Sequence, residues 1–195
     1  MNKFFLMGMA TLATVALADP PSFVGDFKGF YFGPALAVGR TTIGVTNQRY
    51  RQNHLMVGGL FGYGHVTLSD LYYGGEVGLS HDTFSLKQNG QRVEKNNQVE
   101  GVLRFGQLIQ NNFLPYVGLG AAYSDYKMQT STQNKEFHTT DLISEVGVDA
   151  FVRSHWVIRS SFRYQRGLST QGSLPVDVQK KPNSFFIKIG ASYIL

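Results

Sequence analysis

Eight segments of this chain alternate bulky apolar residues with glycine, alanine or charge at a period of two, and each runs 10 to 12 residues. They are residues 29–40, 54–64, 71–81, 98–108, 114–124, 141–151, 156–165 and 184–195. In the fifth, Pro115, Val117, Leu119, Ala121 and Tyr123 alternate with Tyr116, Gly118, Gly120, Ala122 and Ser124. Period two sets successive side chains on opposite faces of a strand and does not fit the helical repeat. The segments are about twice the usual strand of ~5–6 residues, and they match the ~9–11 that a tilted strand needs to cross a bilayer.

The connections alternate in length. Those after the first, third, fifth and seventh segments (41–53, 82–97, 125–140 and 166–183) have 13, 16, 16 and 18 residues, whereas the other three (65–70, 109–113 and 152–155) have 6, 5 and 4. Short turns at one end and long polar loops at the other are the layout of an outer-membrane barrel. The expected fold is therefore all-β: an eight-stranded antiparallel up-and-down transmembrane β-barrel with short periplasmic turns and long extracellular loops over 29–195. A preceding address is legible as well. Lys3, the apolar run 4–15 and the small-x-small site Ala16-Leu17-Ala18 read as a cleaved signal peptide over 1–18. Pro20 and Pro21 follow in a periplasmic lead-in, 19–28.

A soluble eight-stranded carrier of the lipocalin kind shares this periodicity, so the chemistry of the two faces decides between them. The bulky face holds Phe30, Phe32, Leu36, Val38, Leu55, Val57, Phe61, Val77, Leu79, Leu103, Phe105, Val117, Leu119, Val146, Val148, Ile158, Phe162, Ile187 and Ile189. The other face is small rather than wet, with Gly33, Ala35, Ala37, Gly58, Gly62, Gly74, Gly78, Gly118, Gly120, Ala122, Gly147 and Gly190. Small residues suit the inside of an eight-stranded barrel, which side chains fill completely. Tyr63, Tyr73, Trp156, Tyr164 and Tyr193 fall near segment ends on the bulky face, where interfacial aromatic belts sit.

The few charges on the small face balance by parity: Glu76, Glu100, Glu145 and Asp149 against Arg104, Arg159, Arg163 and Lys188. Buried charges require partners. A single antiparallel register of the sixth and seventh segments sets Glu145 opposite Arg163 and Asp149 opposite Arg159 while aligning the apolar positions of the other face. This predicts a charged network that closes the bore. The partners of Glu76, Glu100, Arg104 and Lys188 do not follow from hairpin register.

Lys28-Gly29-Phe30-Tyr31-Phe32-Gly33 at the first segment, the run from Leu114 through Pro115-Tyr116-Val117-Gly118 to Tyr123, Gly147-Val148-Asp149 and Phe162-Arg163-Tyr164 resemble the small outer-membrane β-barrel family. That group contains opacity-type and porin-like surface proteins and is similar in architecture to outer-membrane proteins A and X. The resemblance covers the whole mature chain, 19–195, and rests on the order and spacing of motifs. It implies an outer-membrane location, contact with outer-membrane lipid and lipopolysaccharide, a monomeric barrel, and a C-terminal signal, here Tyr193 and Leu195, for the barrel-assembly machinery. The family usually ends in Phe where this chain has Leu195.

Function is read from sites, not fold. The leading expectation is a non-enzymatic envelope surface protein whose loops contact extracellular partners. The four long loops carry net charges of +2, +1, 0 and +2. Arg49, Arg51, Lys180 and Lys181 in the first and fourth are candidates for binding lipopolysaccharide phosphates or host polyanions. With 18 Lys+Arg against 13 Asp+Glu and no clustering of the bases, the chain does not read as a nucleic-acid binder. A small porin-like channel is a second reading, opposed by the filled bore. A lipid A-modifying enzyme is a third, for which Ser80-His81-Asp82, Ser124-Asp125 and His138 are the candidates; neighbours on a strand face opposite ways, so Ser80 and His81 do not form a dyad. His54, His81 and His138 read as rim residues, and His65 and His155 as residues of the opposite turns, without metal-ligand spacing. No metal or cofactor is expected. The chain has no cysteine, which excludes disulfide scaffolds and thiolate chemistry.

Overall fold

The computed structural model describes residues 27–45, 48–88, 91–110, 112–129, 134–153, 155–171 and 178–195. The expected signal peptide and most of the lead-in lie outside the described residues. The strands are β1 (Gly29–Val45), β2 (Gln48–Val66), β3 (Leu71–Asp82), β4 (Ser85–Gln88), β5 (Gln91–Gln107), β6 (Phe113–Gln129), β7 (Asn134–Arg153), β8 (Trp156–Gln171) and β9 (Val178–Ile194). β4 prolongs β3 past Thr83 and Phe84 and pairs with β5, so the two make one stave. Every sequential neighbour pairs antiparallel, β3 with β5 and β1 with β9, and the sheet closes on itself as an eight-stave up-and-down barrel. Closure leaves no sheet edge, the condition for a sheet to sit in hydrocarbon.

Along the lower half of each stave the bulky face points outward. Of the nineteen residues read from the sequence as that face, all but Val148 are exposed. Trp156, Tyr63 and Tyr73 lie exposed at the lower end of this belt, and Trp156 meets Tyr193 edge-on at 5.4 Å. The register of β7 and β8 places Glu145 opposite Arg163, Asp149 opposite Arg159 and Val148 opposite Ser160. The tight turn at 67–70 puts Asp70 at φ 61°, a conformation that aspartate tolerates better than most residues.

The staves overshoot the belt. Much of what the sequence reads as long loops is strand: β1 runs on to Val45, β5 begins at Gln91, β7 at Asn134 and β9 at Val178. Above the belt the alternation keeps its period and inverts its chemistry. Ile43, Val93, Tyr126, Met128 and Phe137 point inward and form, with Phe84 and partly buried Leu86, an apolar cluster. Lys127 and Glu136 face outward and pair at 3.1 Å. A search for apolar residues on the lipid side ends where the lipid ends, and for that reason these extensions pass for loops.

The inward face is thus layered. At the bottom Phe27, Tyr31, Leu60, Tyr72, Leu114, Phe151, Val157 and Ile194 form an apolar floor, with the Phe27 and Phe151 rings 4.2 Å apart. Charges, then amides and hydroxyls, occupy the middle, and the apolar cluster above closes the top. Glycines thin the wall where this packing needs room: a Cβ on Gly62 would fall against the Tyr31 ring.

Candidate functional site

The middle of the lumen holds one ion network. Arg163 donates from Nε and Nη2 to Glu145 Oε2 at 2.8 and 2.6 Å, and from Nη1 to Glu100. Arg159 bridges Glu76 at 2.6 Å and Asp149 at 3.1 Å. Arg104 reaches past β6 to Asp149 on β7 at 3.0 Å and diagonally to Glu76 on the paired β3 at 3.7 Å. Lys188 Nζ lies 3.3 Å from Glu76 and 3.2 Å from Glu100. All eight charged residues assigned to the lumen by parity are therefore in contact with one another. Two tyrosines that parity alone does not single out complete the layer. Tyr116 donates to Glu145 Oε1 at 2.7 Å, and its ring carries the Arg104 guanidinium at 3.5 Å from the centroid, as Tyr31 carries that of Arg159 at 4.3 Å. Planar guanidinium groups suit this double duty of fork and stack.

A second polar layer lies above. His54 Nδ1 is 2.5 Å from Asp82 Oδ1, its Nε2 is 2.7 Å from Thr41 Oγ1, and Thr41 Oγ1 is 2.6 Å from Ser184 Oγ. Lys95 Nζ approaches Asp82 at 3.3 Å and donates to Gln98 at 2.7 Å; Gln98 in turn donates to Glu100 at 2.8 Å, joining the two layers. Three assignments are corrected here. His54 reads as a rim residue, and Asp82 and Lys95 as loop charges, yet all three are buried. The inverted alternation above the belt turns them inward.

A hydroxyl, imidazole and carboxylate in series is the arrangement used to activate a nucleophile. Here Thr41 is 3% exposed, and the His54 ring is edge-packed against Phe84 at 5.4 Å and Phe186 at 5.3 Å. The series is packed inside the lumen and ties four neighbouring staves, β9, β1, β2 and β3, together. The candidate residues on the surface do not assemble either. His81 is exposed and bonds Asn97 at 3.1 Å, with Ser80 on the inward face. His138 pairs with Asp125 at 2.7 Å while the neighbouring Ser124 is buried inside. No three His, Asp or Glu side chains gather as a ligand set among the described residues.

Above the belt the outer surface is asymmetric. The outward acids of the described strands, Glu94, Asp125 and Glu136, sit on β5, β6 and β7 and pair with Arg92, His138 and Lys127. On β1, β2 and β8, Arg40, Arg51 and Arg166 are exposed, and none has a carboxylate partner among the described residues. Arg49, Lys180 and Lys181 lie on the same side by backbone position, at the upper ends of β2 and β9; their side chains fall outside the described residues. In the apolar top of the lumen, burial pushes the Tyr126 phenol well above its ordinary range.

A closed eight-stave barrel with an apolar outer belt and an ion-filled lumen is an integral outer-membrane protein. The sequence matches the outer membrane protein beta-barrel domain over residues 5–194, and the chain belongs to that family and is located in the outer membrane. Its fold is similar to that of Neisserial surface protein A, at TM-score 0.58 and 12% identity, with 86% of this chain and 98% of that one covered. It is similar also to the outer membrane protein OprG from Pseudomonas aeruginosa, at TM-score 0.51 and 17% identity, covering 89% and 99%. The outer membrane protein AlkL matches at TM-score 0.51 and 16% identity, covering 91% and 95%. No protein with a curated description matches the sequence.

Proposed function

We propose that the chain is a non-conducting, non-enzymatic surface protein of the outer membrane, whose extracellular β extension contacts anionic partners. The sealed lumen carries this reading. Eight charged side chains fill the bore between an apolar floor and an apolar top, and two voids among them measure about 20 and 10 Å³, no more than single-water spaces. Ion flow requires a continuous water column, and breaking this network exposes uncompensated buried charge. Purified protein in a planar bilayer is expected to give no stable ohmic steps; reproducible steps from the monomer would make it a channel.

The partner side of the reading rests on the asymmetric outer surface. The first and fourth extracellular hairpins adjoin through the β1–β9 pairing and bring Arg49, Arg51, Lys180 and Lys181 to one side. Basic residues gathered on one side favour phosphate or sulfate groups. Replacing these four by glutamine is expected to abolish salt-sensitive retention on heparin and to weaken binding to lipopolysaccharide. Unchanged retention in the quadruple variant sinks the polyanion role.

A further inference from the structure

We propose that Arg40 and Arg166, with the groove beneath them, form a binding site for a phosphorylated glycolipid of the outer leaflet, of the lipid A kind. This rests on the surface-protein reading above and names a partner within it.

Arg40 on β1 is level in register with Phe185 on β9, and Arg166 on β8 with Asn183 one outward step higher on β9. The two arginines therefore flank β9, two strand spacings or about 10 Å apart, and the tilt of barrel staves brings them to a similar height. Arg40 engages one of its donors with Asn53 Oδ1 at 2.9 Å, which orients the guanidinium and leaves its remaining N–H groups for a ligand. Asn183, exposed between them, adds a neutral amide.

Directly below, an open groove of about 650 Å³ runs down the outer wall between Val38, Phe162, Tyr164, Phe185 and Ile187, with small Ser144 set among them. Val38, Phe162, Phe185 and Ile187 are 40 to 64% exposed, so the groove opens to hydrocarbon. Cations at the polar end of an apolar trough describe an amphiphile: phosphate above, acyl chain below. The trough starts at the upper edge of the belt, which selects a lipid of the outer leaflet. Charge complementarity selects its headgroup, because the outward acids of the described strands stand on β5, β6 and β7, off the three staves that carry the site, and are already paired. The fork geometry of arginine favours a phosphate monoester that accepts two parallel bonds.

The full-length protein, extracted from outer membranes in mild detergent, tests this by mass spectrometry of retained lipid. The wild type is expected to carry lipid A through purification. Arg40→Gln and Arg166→Gln each reduce retention by about tenfold, the loss of one charge-assisted contact set. Lys127→Gln, on β6 outside the site and already paired with Glu136, leaves it unchanged. Both arginines face outward, so boiling-dependent gel mobility stays normal in each variant and separates lost binding from lost folding. Equal retention by wild type and the double variant overturns the site. So does displacement of lipid A by phosphatidylglycerol at equal concentration, because a generic anionic-lipid surface then suffices. Heparin retention in the same preparations reads the hairpin tips independently: intact lipid retention with failed heparin binding removes the polyanion role and keeps this one.

Discussion

Arg163→Met is expected to be among the most damaging conservative-volume changes in this barrel, costing about 3–5 kcal/mol, the usual effect of removing one partner from a buried ion cluster. The guanidinium holds Glu145 through two nitrogens and Glu100 through a third. Without it, Glu100 keeps only Lys188 at 3.2 Å and the Gln98 amide, and Glu145 keeps the Tyr116 hydroxyl. Both carboxylates then sit between sealed apolar layers with a deficit of positive charge. The measurement is the urea midpoint for loss of the heat-shifted gel form in lipid vesicles. Adding Glu100→Gln and Glu145→Gln to Arg163→Met removes the uncompensated charge and is expected to recover most of the lost stability. If the single variant unfolds at the wild-type midpoint, the network does not hold the barrel.

Gly120→Val is expected to prevent barrel closure altogether, a loss beyond the ~4–5 kcal/mol that marks exceptional substitutions. Gly120 sits on β6 facing the lumen, and a Cβ there overlaps the Gly101 carbonyl oxygen and stands 2.8 Å from Val102 Cα. Both obstacles are backbone atoms of a paired strand, which cannot step aside as a flexible side chain can. Gly101, one strand over and facing outward, is the control: a Cβ there meets nothing within 4 Å, so Gly101→Ala should assemble normally. The readout is boiling-dependent mobility of protein from outer-membrane fractions. A Gly120→Val protein that shifts like wild type would show that the wall between β5 and β6 yields more than its register implies.

The parts of this molecule legible in the sequence are those fixed by local register. Strand parity separates the lipid face from the lumen because a one-residue slip would reverse every side chain. The short turn between β7 and β8 ties Glu145 to Arg163 and Asp149 to Arg159 through sequence spacing alone. The partners of Arg104 resisted the same reasoning. Arg104 meets Glu76 diagonally on the paired β3 but reaches Asp149 two staves away on β7, and that second contact is set by stagger around the circumference, not by any one hairpin. Lys188 likewise joins Glu76 and Glu100 from a distant strand. His54, Asp82 and Lys95 were missed for a different reason. The solvent outside their staves changes from hydrocarbon to water part-way along, so a rule tuned to one solvent misreads residues that stand in the other.

Two electrostatic regimes coexist in this chain, separated by one sheet thickness. The apolar floor and top keep mobile ions away from the lumen network, and screening requires those ions to approach. Its contribution is therefore insensitive to ionic strength, from dilute water to brine. The arginines outside stand in the electrolyte and lose their reach as the Debye length contracts. Salinity can thus regulate what the protein holds at the cell surface without changing how firmly it remains in the membrane.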